Sequence, residues 1–309
     1  MKSTALLTLI ELNQLYPMPT IYLIDASPYI FRAYFALPAS IHAPDGSPTN
    51  AVYGYTAFLL DLLKRAQPTH LAVAFDRSLT SSFRNEFYPQ YKANRALPAE
   101  ELKSQLEACW QVTEALGIKA YIDDRYEADD LIGTIISQLS KKACDFVVVS
   151  GDKDLAQLIN KCTVLWDFAK DRRFEEKAVI EHFGVRANQL IDLLALMGDA
   201  VDNIPGVAGI GKKTAVALLE KFSNLETLYQ KLDRIEKINL RGALAIRAKL
   251  EQSRELAFLS KQLATIACDA PIKTNLTALK YSGADRRAVE TLFDRLGFGK
   301  IRERILKWS

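Results

Sequence analysis

The 309-residue chain has little of what marks several common functional classes. Its four cysteines, Cys109, Cys144, Cys162 and Cys268, are scattered without zinc or disulfide spacing, which suits a reducing compartment. The three histidines, His42, His70 and His182, form no convincing triad with any motif and read as surface or packing residues. No apolar run reaches membrane-spanning length. Strong net charge is missing too. At +3 the whole-chain balance alone does not argue for nucleic acid, although basic residues are segregated from acidic clusters. The first residues, MKSTALLTLIELNQLYPMPT, lack a signal peptide's pattern, because Glu11, Asn13 and Gln14 interrupt the apolar stretch and no small-residue cleavage site follows. Residues 1–18 read as an N-terminal extension, either a short amphipathic helix or a stretch ahead of a true start at Met18. The expected location is cytoplasmic.

Carboxylates are what the chain does have, and they are clustered. Asp25, Asp76, Glu127 with Asp129 and Asp130, Asp152 with Asp154, and Asp199 with Asp202 each sit at a break between elements. Four of these five groups follow strand-like runs (IYLID, LAVAFD, KAYIDDRYEADD, FVVVSGDKD) or open the helix after one. Carboxylates converging on one cleft repel, by ~1 kcal/mol per pair at 4 Å in water and several-fold more near protein. A positive partner is required, and oxygen-only ligands favour Mg²⁺ or Mn²⁺. Any single cluster has a plainer reading. Acidic residues suit a helix's first turn, GDKD suits a capped turn, and Asp199 and Asp202 suit a loop. Glu127 and Asp130, three apart, share a face, while Asp129 turns toward a neighbouring direction.

Strand-like runs at roughly 21–25, 71–75, 118–122, 145–149 and 163–167 alternate with helical patterns, including 50–66 and 99–116. Pro28 after Ser27 marks a capped helix start. The pattern predicts an α/β fold, a mostly parallel central sheet flanked by helices, spanning 19–185. Ligands bind such sheets outside the carboxyl ends of the strands, where Asp25, Asp76 and Asp152 lie. After Trp166 the strands are expected to stop, leaving a helical region over 186–309.

Two basic features accompany the acids. Residues 81–105 interleave Arg84, Lys92 and Arg95 with Phe87, Tyr88 and Tyr91, a mixture that stacks bases and holds single-strand phosphates, or else forms an ordinary solvated loop. In 190–222, Gly206, Gly209 and Gly211 precede a helix starting near Lys212 and Lys213. Glycines let backbone N–H groups approach phosphate, and the lysines add to that preference, as in a helix-hairpin-helix gripping duplex backbone.

From about Ile21 onward the chain resembles the 5′-nuclease (flap endonuclease) family, found at the start of bacterial DNA polymerase I and as free-standing proteins. The likeness rests on IYLIDASPYIFRAYFALP, VAFD with FRNEFYPQYKANR, YEADDLIGT, SGDKDLAQL and LALMGDAVDNIPGVAGIGKKTA, in order. It implies a PIN-like or resolvase-like core that hydrolyses phosphodiesters near a DNA 5′ end, flap or nick with two Mg²⁺ ions, Mn²⁺ substituting. The first ion would lie among Asp25, Asp76, Glu127 and Asp129, and the second among Asp129 or Asp130, Asp152, Asp154, Asp199 and Asp202. Residues 81–105 would form a helical gateway, with Lys92 and Arg95 stabilising charge on the scissile phosphate and Tyr91 stacking beside it. The hairpin would hold duplex DNA, sometimes with K⁺. The expected state is a monomer. Where the family often has Asp-Gly-Ser, this chain has Asp25-Ala26-Ser27, which removes no ligand. Two other readings stay open: an RNA-cleaving PIN-type nuclease, and a non-catalytic DNA-binding module.

Overall fold

The computed structural model describes residues 18–78, 81–95, 99–238 and 240–309, so the expected N-terminal extension lies outside the described residues apart from Met18. Five parallel strands form the centre: β1 (Thr20–Asp25), β2 (His70–Asp76), β3 (Lys119–Asp123), β4 (Asp145–Val149) and β5 (Thr163–Asp167). They run in the order β3-β2-β1-β4-β5. A sixth strand, β6 (Arg172–Phe174), pairs antiparallel with β5 at the edge, which corrects the expectation that strands end at Trp166. Its sequence, RRF, offers no apolar run, and only Phe174 is buried.

β1 shows why the parallel strands are legible. Ile21 and Leu23 bury into one face of the sheet and Ile24 into the other, so the strand is apolar almost throughout. On the Ile24 face lie α1 (Ser27–Ala36), α2 (Asn50–Ala66) and, after the short α3 (Arg84–Phe87), α4 (Glu100–Ala115). On the other face α5 (Ala128–Leu139) leads into a helical part: α6 (Glu176–Phe183), α7 (Leu190–Met197), α8 (Lys212–Phe222), α9 (Leu225–Gln230), α10 (Ala243–Gln252) and α11 (Arg254–Ala264). One core is continuous from Leu23 and Leu131 to Leu193, Leu218 and Leu250. The sheet and the helical part therefore share a single apolar interior.

The expected helical region 186–309 is not one block in space. Tyr281, Phe293 and Ile301 return to the Ile24 face, and α12 (Arg286–Leu296) packs there. Asp285 caps α12 by accepting from the Ala288 N–H at 2.9 Å, and Gly297 ends it in the left-handed conformation. Strand order reverses between β1 and β4, so the crevice at their carboxyl ends is the topological switch point of the sheet. Asp25 is placed there by being the last residue of β1.

Candidate metal centre and nucleic-acid interface

Asp25 is buried, and its oxygens are aimed by two serines. Oδ2 accepts from Ser150 Oγ at 2.8 Å, and Oδ1 accepts from the Ser27 N–H at 3.2 Å. Asp76, at the end of β2, accepts from the Ala128 N–H at 2.8 Å and from the Ser27 hydroxyl. Asp76 thereby fixes the start of α5, the helix that carries Asp129. Ser27, expected to cap α1, orients the cleft instead, and the α1 cap position is Ala26 with no side-chain bond. Neither serine was anticipated as part of the site, although each lies within two residues of a strand's carboxyl end.

The electrostatics define a first group. Burial, followed by repulsion from Asp76 and Asp152, raises the Asp25 pKa well above the ordinary carboxylate value. Burial and then Asp25, Asp152 and Asp76 do the same to Asp129. Asp76 is raised by burial and by Glu127. Asp154, Asp199 and Asp202 form a second group, each offering an oxygen within 4.8 Å of the others. Burial, then Asp152, Asp199 and Asp202, push Asp154 up to about 7. The loop bearing Asp199 and Asp202 is closed by reciprocal backbone bonds between Asp199 and Ile204, at 2.9 and 2.7 Å. Asp152 acts on both groups. Carboxylate oxygens crowded together, with no nitrogen or sulfur ligand among them, fit a hard divalent cation.

Asp130 does not belong to this set. Arg84 donates to both of its oxygens at 2.8 Å, and Asp130 also accepts from the N–H groups of Ala267 at 2.8 Å and Glu127 at 3.1 Å. With its acceptor capacity filled by protein donors, the carboxylate has nothing to offer a metal. Arg84 further binds Glu127 Oε2 and the carbonyl oxygens of Leu263 and Thr265 at 2.8–2.9 Å. It is 3% exposed, so it is a buried clamp and not the DNA contact expected. Tyr91 is likewise corrected. It is 4% exposed, and its hydroxyl faces Glu127 at 3.1 Å and Asp202 at 3.4 Å, so its ring has no open face for a base.

Lys92 and Arg95 do reach the rim of the cleft. Lys92 pairs with Glu127 and lies 3.7 Å from Asp202, while Arg95 pairs with Asp202. Against the cost of burial, Lys92 and Arg84 hold the Glu127 pKa below its ordinary value. This segment is stitched to the Asp199–Asp202 loop: the Lys92 N–H donates to the Asp202 carbonyl at 3.0 Å, Asn94 to Ala200 at 2.8 Å, and Asn203 back to Gln90 at 2.6 Å. Among the described residues of 81–105 there is α3, a run of turns and the start of α4, rather than a helical arch.

The hairpin glycines divide by role. Gly206 is buried with φ +63°, and a Cβ there would stand 2.3 Å from the Gly198 nitrogen. Its N–H donates to buried Ser260 Oγ at 2.9 Å, so it closes the turn and has no donor left for phosphate. Gly209 and Gly211 are exposed, as are Lys212 and Lys213 at the start of α8.

A mostly parallel sheet with an acidic crevice at its switch point and an exposed glycine-lysine hairpin defines an α/β protein with a candidate site for hard cations. Residues 20–184 match the family described as "5′-3′ exonuclease, N-terminal resolvase-like domain", and residues 185–287 match "5′-3′ exonuclease, C-terminal SAM fold". The chain belongs to the 5′-3′ exonuclease family. It is 41% identical to Bacillus caldotenax DNA polymerase I over 288 residues, covering 92% of this chain and 32% of that protein. Pseudomonas aeruginosa DNA polymerase I is 40% identical over 277 residues, 89% of this chain and 30% of that one. The chain thus spans about a third of the length of these relatives. Its fold is similar to the bacteriophage T5 flap endonuclease solved as a pseudo-enzyme-product complex with DNA and metal ions (TM-score 0.65, 24% identity, 92% of this chain and 99% of that one). It is also similar to the catalytic core of Rad2 in complex with DNA substrate (TM-score 0.61, 16% identity, 93% and 91%). Among the described residues no helix is long and apolar enough to cross a membrane.

Proposed function

We propose that the chain is a divalent-metal-dependent 5′ nuclease that hydrolyses DNA phosphodiesters at 5′ ends and flaps, in replication or repair. The observation that carries this reading is the convergence of Asp25, Asp76, Asp129 and Asp152 beside Asp154, Asp199 and Asp202, with Lys92 and Arg95 at the rim. Two bound ions would supply an activated water and a clamp on the attacking and leaving oxygens. The seven carboxylates would hold the pair, and Ser27 and Ser150 orient Asp76 and Asp25 for it. Lys92 and Arg95 lie on Glu127 and Asp202 at the rim, where they would stabilise charge developing on the scissile phosphate. The exposed hairpin at Gly209–Lys213 grips duplex backbone without reading sequence. On this reading Mg²⁺ is the working ion, Mn²⁺ substitutes, K⁺ binds at the hairpin, and the protein acts as a cytoplasmic monomer. The test is cleavage of a 5′-flap DNA, the matching RNA flap and plain single strands, with Mg²⁺ and with EDTA. Flap DNA cut only with metal supports the reading. Preferential cutting of the RNA, or metal-independent binding without cutting, overturns it.

A further inference from the structure

Outside the acidic cleft, three cations gather around one histidine. Lys153, between Asp152 and Asp154, brings Nζ to 2.9 Å from His182 Nε2. An ammonium only donates, so the ring nitrogen accepts. Burial, and then Lys153, Lys212 and Arg172, hold the His182 pKa below its ordinary value, which keeps the imidazole neutral for that role. Lys212, the first residue of α8, donates from Nζ to the His182 carbonyl oxygen at 2.9 Å and lies over the Phe183 ring at 5.7 Å. Arg172 on β6 covers the Phe174 ring at 4.6 Å, and Phe174 meets the His182 ring edge-on at 6.1 Å. Among the described residues, none of Lys153, Arg172 or Lys212 forms an ion pair with a carboxylate. One imidazole, one carbonyl and two aromatic rings hold them in place.

Like charges held together without a counter-ion favour an anion between them. Topology indicates which anion. Lys153 stands on the loop that carries Asp152 and Asp154, and Lys212 opens the helix of the hairpin, and both touch His182, so a strand held at both places would pass across it. We propose that Lys153, Arg172 and Lys212, positioned by His182, form a binding site for an internal phosphodiester of the DNA strand between hairpin and cleft. This rests on the 5′-nuclease reading, which supplies the strand. His182 touches no reacting atom and is a positioning residue.

The experiment is fluorescence anisotropy of full-length protein with a labelled 5′-flap duplex in EDTA, titrated between about 50 and 200 mM salt. Lys153→Ala and Arg172→Ala should each weaken binding several-fold and flatten the plot of log affinity against log salt by about one unit. His182→Ala should do the same with a retained thermal midpoint, and His182→Gln, whose amide oxygen can accept from Lys153, should recover most of the affinity. A loss in the salt slope separates phosphate contact from mere structural damage. Lys177→Ala, on the exposed face of α6, should change nothing. If Lys213→Ala flattens the slope while Lys153→Ala and Arg172→Ala leave it intact, this site is refuted and the nuclease reading stands. If the wild type fails to bind the flap duplex, the nuclease reading itself fails. The losses should be equal for flaps ending in 5′-phosphate and 5′-hydroxyl, and a loss confined to the phosphorylated flap overturns the assignment to an internal phosphodiester.

Discussion

Asp129 and Asp130 are adjacent in sequence and live in opposite electrostatic worlds. Asp130 faces Arg84 and two backbone donors, a closed and fully hydrogen-bonded arrangement. Asp129 faces Asp25, Asp152 and Asp76, whose repulsion outweighs the pull of Lys92. Asp130 is fully buried and Asp129 half-buried, but the contrast that matters is in compensation. Clustering of carboxylates does not by itself mark a metal site. A cluster whose charge the protein leaves unbalanced does, because that charge destabilises the fold until a ligand arrives.

The comparison can be broken by substitution on each side of it. The largest effect belongs to the uncompensated side: Asp152→Ala should remove Mg²⁺-dependent cleavage to background, a loss on the order of several kcal/mol of transition-state stabilisation, while DNA binding survives. Unchanged turnover would take Asp152 out of the ligand set. Next comes the compensated side. Arg84→Ala leaves Asp130 buried without a counter-charge and should cost about 3–5 kcal/mol of stability, read by urea denaturation with and without metal. A loss under 1 kcal/mol would show that the clamp is not structural. Lys92→Ala should slow single-turnover cleavage by about 10²-fold with little change in affinity, as for removal of one charge-stabilising donor. A change in affinity alone would reassign Lys92 to binding.

The smallest effect is a pH dependence whose sign follows from the raised pKa values. Asp25, Asp76, Asp129 and Asp154 bind protons more tightly in the folded protein than in the unfolded chain, so folding is favoured at low pH and stability is lost as pH rises through their folded values. Asp154, at about 7, sets the window. In EDTA the thermal midpoint should therefore be higher at pH 6 than at pH 8. Saturating Mg²⁺ should remove or reverse that slope. Glu127 works the other way, with its lowered value, but only at pH below the ordinary carboxylate range.

Much of this was legible in the sequence because parallel strands buried on both faces must be apolar throughout, and a carboxylate ending such a strand is exceptional. β1, β2 and β4 announced Asp25, Asp76 and the GDKD loop for that reason. β6 stayed hidden because an edge strand of two exposed arginines and one phenylalanine needs no apolar run. The common face of Glu127 and Asp130 was readable from their spacing, but its occupant was not. Arg84 comes from 46 positions away, and the carbonyl groups it also holds come from 179 and 181 positions away. The same limit explains Ser27, whose hydroxyl turned from a local cap to a carboxylate on the next strand. It also explains Tyr91 and Gly206, whose residue types suit nucleic acid but whose surroundings are filled by protein.

The central claim is that Asp129 is held for a cation and Asp130 for Arg84, and thermal unfolding with and without Mn²⁺ tests it on both at once. Asp129→Asn should raise the metal-free midpoint and lose most of the Mn²⁺-induced rise, whereas Asp130→Asn should lower the metal-free midpoint and keep that rise. An Asp129→Asn protein that gains as much from Mn²⁺ as the wild type would contradict the account.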